Sequence, residues 1–247
     1  MAIVAEMSRF NLLLSLLVAL SILSMVSANP RILAAVITCV PFTQCDGTND
    51  DDTMNGSDQI DKMNGLGGKD KMFGNDGPDT MRGGPGVDNI DGGNDQDFID
   101  ELLDTSNNVM SGGADDDYIK GGEGNDTING GGGQDILHGY GGKDTIRGQI
   151  GDDILQGLHG NDIIYGGDGN DVLAGDYNCV PINCGADTLK GGPGDDKLFQ
   201  RGASSEFLEA SDGHKDILDC GDGNDEAWVN VNTDHDETRN CEVVHRG

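Results

Sequence analysis

The chain has 247 residues, 41 of them glycine, with 45 acidic residues against 15 lysines and arginines and a formal net charge of −30. Such a charge repels phosphate and excludes nucleic acid as a partner. With only 4% aromatic residues, charge and hydropathy alone would suggest disorder, so a fold has to come from pattern rather than from a large oily interior.

Residues 1–28 read as a secretory signal peptide: Arg9 gives a thin positive region, Leu12 to Val26 is apolar, and Val26-Ser27-Ala28 offers small residues before a cut. An uncleaved anchor is the rival reading, because Phe10 to Val26 reaches only the lower limit of a membrane span. Cleavage is favoured, since Ser15, Ser21, Ser24 and Ser27 dilute the segment and Asn29-Pro30 breaks it. Removing this segment leaves the charge at −30, because Glu6 and Arg9 cancel. Residues 29–45, with apolar Ile32 to Val40 and flanking Cys39 and Cys45, are expected as an N-terminal cap over the first unpaired edge.

From residue 46 a nine-residue phrase takes over. A clear copy is Tyr165-Gly166-Gly167-Asp168-Gly169-Asn170-Asp171-Val172-Leu173, and the same phrase appears at Lys120 to Ile128 and at Lys190 to Leu198. Residues 46–99 hold six copies and residues 111–173 seven; in all thirteen the second position is Gly, the seventh Asp and the ninth Met, Ile or Leu. A fixed period sets the architecture before any local propensity. Six residues of turn chemistry precede three that suit a very short strand, its apolar residue inward and its neighbours outward. Such a strand is stable only when stacked on copies of itself. If two phrases make one coil, aspartates eighteen apart share an edge. The first run then aligns Asp52, Asp70 and Asp88, and Asp61, Asp79 and Asp97. The second aligns Asp117, Asp135, Asp153 and Asp171, and Asp126, Asp144 and Asp162.

The inward column of the first run is mostly methionine (Met54, Met63, Met72, Met81), which packs adaptably but specifies poorly. Residues 100–110 hold eleven where nine are due, with Asn108 in the Asp slot; a looped-out insertion within a continuous stack is preferred to a seam. In residues 111–173 the inward column is Ile and Leu, while Tyr140, Gln149 and Leu158 replace a turn glycine and mark the doubtful rungs. Residues 174–189 carry a seven-residue insertion with Cys179 and Cys184, after which Asp187 and Asp196 resume the phrase. Residues 199–247 are expected as a C-terminal cap, although Asp216 to Asp225 returns to a repeat-like phrase. Six cysteines in an exported chain point to disulfides. Their positions favour Cys39–Cys45, Cys179–Cys184 and Cys220–Cys241, none expected to crosslink the stack.

Stacked carboxylates repel one another, and a hard cation taking six to eight oxygens relieves that repulsion. Calcium suits glycine-rich turns that can aim backbone carbonyls, whereas magnesium demands a tighter octahedron. No Cys or His recurs in the period, which argues against zinc or copper. Nine uninterrupted aspartate pairs, or thirteen with the insertions bridged, would bring about +18 to +26 against the −30.

The phrase resembles the G-G-x-G-x-D-x-U-x calcium-binding nonapeptide of RTX, or hemolysin-type, repeat proteins, over residues 46–198. The resemblance implies an all-β parallel β-roll, a right-handed β-solenoid, with calcium held by the seventh-position aspartates. Those are Asp52, Asp61, Asp70, Asp79, Asp88, Asp97, Asp117, Asp126, Asp135, Asp144, Asp153, Asp162, Asp171, Asp187 and Asp196. The expected function is a secreted protein that folds on calcium and serves as a structural, surface or adhesive element, partnered by glycans or proteins outside the cell. One alternative is a carbohydrate-binding module, which needs an outward aromatic or basic strip. The other is an accessory module of an exported hydrolase. No enzyme is expected, because the chain contains no His-Glu-x-x-His and no Gly-x-Ser-x-Gly.

Overall fold

The computed structural model describes residues 35–176, 185–201, 215–229 and 236–246. The signal segment and the Cys179–Cys184 loop therefore lie outside the described residues. All regular structure among the described residues is β. One eleven-stranded parallel sheet contains β1 (Val36–Thr38), β3 (Thr53–Asn55), β5 (Lys71–Asp76), β7 (Asn89–Asn94), β9 (Val109–Ala114), β11 (Thr127–Gly132), β13 (Thr145–Ile150), β15 (Ile163–Asp168), β17 (Thr188–Pro193), β19 (Ile217–Asp222) and β21 (Glu237–Arg239). The other contains β2 (Gln44–Asp46), β4 (Lys62–Asn64), β6 (Thr80–Arg82), β8 (Phe98–Asp100), β10 (Tyr118–Gly122), β12 (Ile136–Gly142), β14 (Ile154–Gly160), β16 (Val172–Asp176), β18 (Lys197–Arg201), β20 (Glu226–Val229) and β22 (Val243–Arg246).

Consecutive strands alternate between the sheets, so two nonapeptides make one turn of a parallel β-roll. The register follows the period: Thr127, Ile128 and Asn129 lie beside Thr145, Ile146 and Arg147 of the next coil. Alternation along each short strand sends one side chain inward, which gives a column of Met72, Ile90, Met110, Ile128 and Ile146 in one sheet. Facing it are Met81, Ile99, Ile119, Leu137 and Leu155, all fully buried. The interior is thus one apolar residue thick on each side, and nearly all remaining order comes from backbone pairing and the turns.

The insertion at 100–110 leaves the stack continuous: β7 still pairs β9 with Ile90 beside Met110, and β8 pairs β10 with Ile99 beside Ile119. Tyr140, Gln149 and Leu158 adopt positive φ of 78°, 85° and 78°, so these turns keep the left-handed form despite carrying a Cβ. Their rungs remain intact.

Both end segments are built from further coils of the roll. At the N-terminal end, β1 and β2 pair with β3 and β4 and form the first coil itself. Past residue 198 the roll continues: β19 pairs β17, β20 pairs β18, and β21 and β22 follow in the same two sheets. Among the described residues two disulfides are formed. Cys39–Cys45 joins the end of β1 to β2 within one coil. Cys220–Cys241 joins β19 to the segment just past β21, its neighbour in the sheet, and so staples successive coils. It does crosslink the stack, because β19 and β21 belong to successive coils of the same sheet.

Candidate metal centre

Each turn ends on its seventh-position aspartate immediately before the strand begins, so the parallel stacking of strands also stacks the aspartates. All fifteen aspartates named above are at most 3% exposed. They fall into two columns, one at the head of each sheet, and adjacent members are tied by the same bond: a backbone N–H donates to Oδ1 of the aspartate one coil later. In the first column Asp52 donates to Asp70 (2.8 Å), Asp70 to Asp88 (2.8 Å), Asp126 to Asp144 (2.8 Å), Asp144 to Asp162 (2.9 Å) and Asp162 to Asp187 (2.8 Å). Between Asp88 and Asp126 the bond passes through Asn108, whose Oδ1 accepts from Asp88 at 2.9 Å and whose N–H donates to Asp126 at 2.7 Å. The second column runs Asp61, Asp79, Asp97, Asp117, Asp135, Asp153, Asp171 and Asp196, with N–H to Oδ1 distances of 2.7–2.9 Å.

One oxygen of each carboxylate is therefore spoken for, and the other is not. Oδ2 of thirteen of the fifteen aspartates is buried with no hydrogen-bond partner. The exceptions are in the first turns. Asp52 Oδ2 accepts from the backbone and hydroxyl of Thr48 at 2.6 and 2.9 Å, and Asp61 Oδ2 accepts likewise from Ser57. Asp52 thus has both oxygens engaged, Oδ1 accepting from Ala35, while Asp61 keeps Oδ1 unpartnered.

The glycine at the second position explains where the orphaned oxygen points. A Cβ on Gly148 would overlap both Asp153 Oδ2 and the carbonyl oxygen of Gly166 in the next coil. Carboxylate and carbonyl oxygens thus converge where the missing side chain leaves room. Burial without a counter-charge pushes the carboxyls up from 3.8: Asp117 and Asp144 to about 8, Asp88, Asp97, Asp153, Asp162 and Asp196 to about 7. Neighbouring carboxylates add to the rise. Buried, unpartnered oxygens of this kind fit a hard divalent cation, which bound there would neutralise the column and take carbonyl oxygens as further ligands.

Sequence reasoning missed three groups. Asp225 extends the second column, with its Oδ1 accepting from Asp196 at 2.7 Å, and Asp216 Oδ1 accepts from Asp187 at 2.6 Å. The phrase Gly221-Asp222-Gly223-Asn224-Asp225 carried that signal, but the long spacing of 29 residues hid the register. A parallel ladder runs through the sixth position, where Asn125 Oδ1 accepts from Lys143, Asp152 Oδ1 from Asn170 and Asn170 Oδ1 from Asp195 at 2.7–2.9 Å. Its signal was the recurrent Asn or Asp before the seventh-position Asp. Glu101 and Asp104, buried within the insertion, are the third group.

Fold and turns together define a parallel β-roll with acidic, oxygen-lined rungs between coils. The family model of the RTX calcium-binding nonapeptide repeat (4 copies) matches residues 46–81, 64–99, 104–137, 138–173 and 185–199, and the chain belongs to that family. No curated protein matches the chain. Repeats of this family bind calcium in general.

Proposed function

We propose that the chain is an exported, non-enzymatic structural protein that folds on binding calcium and works as a surface, matrix or adhesive element. The observation that supports it best is the double column of buried aspartates with unpartnered Oδ2 atoms. Without a cation each rung desolvates charge for no return, and the apolar interior is too thin to compensate. Binding free energy then becomes folding free energy. About nine to thirteen ions, one for each aspartate pair, would offset most of the net charge of −30. Disulfides at Cys39–Cys45 and Cys220–Cys241 suit an oxidising compartment, in keeping with the apolar leader. Outside the cell calcium is plentiful; inside, the chain would stay expanded and ready for export. Far-UV circular dichroism of the chelated protein at pH 8 tests this: the β signal is expected to disappear and to return with calcium, and an unchanged signal would refute it.

A carbohydrate-binding role has one observation in its favour. On the outward face, Phe98 and Tyr118 stack at 5.4 Å with Lys120 over both rings at 5.1 Å, and Trp228 and His245 stack at 4.5 Å over a buried Phe199. Such strips can carry sugar rings. A glycan array probed in calcium separates the two readings.

A further inference from the structure

The insertion at 100–110 builds something the regular phrase cannot. Glu101 occupies the slot where the phrase has glycine, and its side chain reaches back one coil. There its two oxygens accept from the backbone N–H groups of Gly83, in a short contact, and Gly84 at 3.0 Å. Asp88 Oδ2 lies against the same Gly83, buried and without a partner. Asp104 closes the group: carboxylate oxygens of Asp88, Glu101 and Asp104 all lie within 4.8 Å of one another, and the three residues are 1%, 1% and 5% exposed.

The loop holding them is tied down rather than draped. Asp104 N–H donates to the Glu101 carbonyl at 2.8 Å, Glu101 N–H to Lys120 at 3.0 Å, and Glu123 N–H to the Asp104 carbonyl at 2.9 Å. Asp104 Oδ1 accepts from Thr105 and Ser106, and its Oδ2 from Asn108 at 3.0 Å. Both oxygens of Glu101 and both of Asp104 are thus used as acceptors, which leaves Asp88 Oδ2 as the one aimed at nothing. Asn108 replaces an aspartate in the column and removes a fourth negative charge from the cluster. Burial and the neighbouring carboxylates push Glu101 up to about 8 and Asp88 up to about 7. A surface cleft of about 310 Å3 has Glu101 and Asp104 in its wall.

We propose that Glu101 and Asp104 turn the rung at Asp88 into a calcium site of its own kind, tighter than the regular rungs and filled before them. Affinity in oxygen-ligand sites rises with carboxylate count and rigidity. A regular rung offers its column aspartates and backbone carbonyls, whereas here the carboxylates of Glu101 and Asp104, on a hydrogen-bonded loop, stand beside the unpartnered Asp88 Oδ2 as well. Occupied first, it would fix the middle of the roll, where the methionine-lined coils meet the Ile/Leu-lined ones. The inference extends the calcium reading above, and the two can fail separately.

Calorimetric titration of the demetallated full chain with calcium is the test, comparing wild type with Glu101→Gln, Asp104→Asn and Glu101→Gly. The last restores the residue that the phrase has in this slot, so it keeps the coil foldable. Wild type is expected to bind one ion at least tenfold more tightly than the remainder. Each variant is expected to lose that step while the later ions and the calcium-saturated far-UV signal persist. A wild type with a single class of sites, or a Glu101→Gly chain that titrates like wild type, would overturn this site and leave the general calcium reading standing. Absence of any calcium uptake by wild type would overturn both.

Discussion

The backbone N–H of Asp135 donates to Oδ1 of Asp153 at 2.8 Å, one coil further on, while Asp153 Oδ2 is buried with no partner. One carboxylate therefore does two jobs: it pins the preceding turn and presents a bare oxygen. Asp153→Asn separates them. The amide oxygen can still accept from Asp135, as Asn108 does from Asp88, but the charge is gone. The variant is expected to bind at least one calcium fewer by calorimetry and to be more stable than wild type in chelator. Asp153→Ala loses both jobs and strands the Asp135 N–H, so it is expected to cost about 1–3 kcal/mol in urea unfolding with calcium present.

The pH response of the metal-free chain follows from the raised carboxyls. Folded, Asp117 and Asp144 titrate at about 8, several others at about 7, and Asp70, Asp79, Asp126, Asp135 and Asp171 at about 6, against 3.8 when unfolded. Between these values the folded state holds more protons, so stability falls as pH rises. The contribution is complete below about pH 4 and lost by about pH 8. Circular dichroism in chelator should show β structure at pH 5 that is absent at pH 8, with calcium restoring it at pH 8. Equal signals at both pH values in chelator would contradict this.

Gln149 sits at φ 85° between Gly131 and Gly167 of the adjoining coils, which have φ 128° and 123°. The left-handed form costs a residue with a Cβ about 1–2 kcal/mol. Gln149→Gly relieves that at some entropic cost in the unfolded chain, and a small rise in melting temperature in saturating calcium is expected. A lower one would show that the Gln149 side chain makes a compensating contact.

Cys220 and Cys241 are 21 residues apart and join neighbouring coils. On a loop-entropy account such a closure stabilises by about 3 kcal/mol. Replacing both with serine should let the last coils open while the middle of the roll stays closed. Limited proteolysis in calcium should then release fragments from beyond residue 201 only; cleavage throughout would mean that the stack is a single cooperative unit.

Much of this could be read from the sequence because the period is itself geometry. Gly at the second position, Asp at the seventh and an aliphatic residue at the ninth fix turn, edge and interior for every copy, and stacking at eighteen residues per coil follows. The columns from Asp52 to Asp97 and from Asp117 to Asp171 needed nothing more, while crossing the insertion at 100–110 stretches the spacing to 20 residues. What the tertiary structure alone decided lies where the spacing breaks or where a side chain finds its partner. The coils of β19 to β22 join the roll because Asp216 and Asp225 accept from Asp187 and Asp196 across 29 residues, a register no fixed period reveals. Thr48 and Ser57 occupy Oδ2 of Asp52 and Asp61, so the first turns differ from those that follow. Glu101 meets Asp88 and Asp104 only because the insertion folds back on the coil before it. A repeat dictates what happens identically in each copy; hydrogen bonds across an irregular loop depend on positions in space that local sequence does not encode.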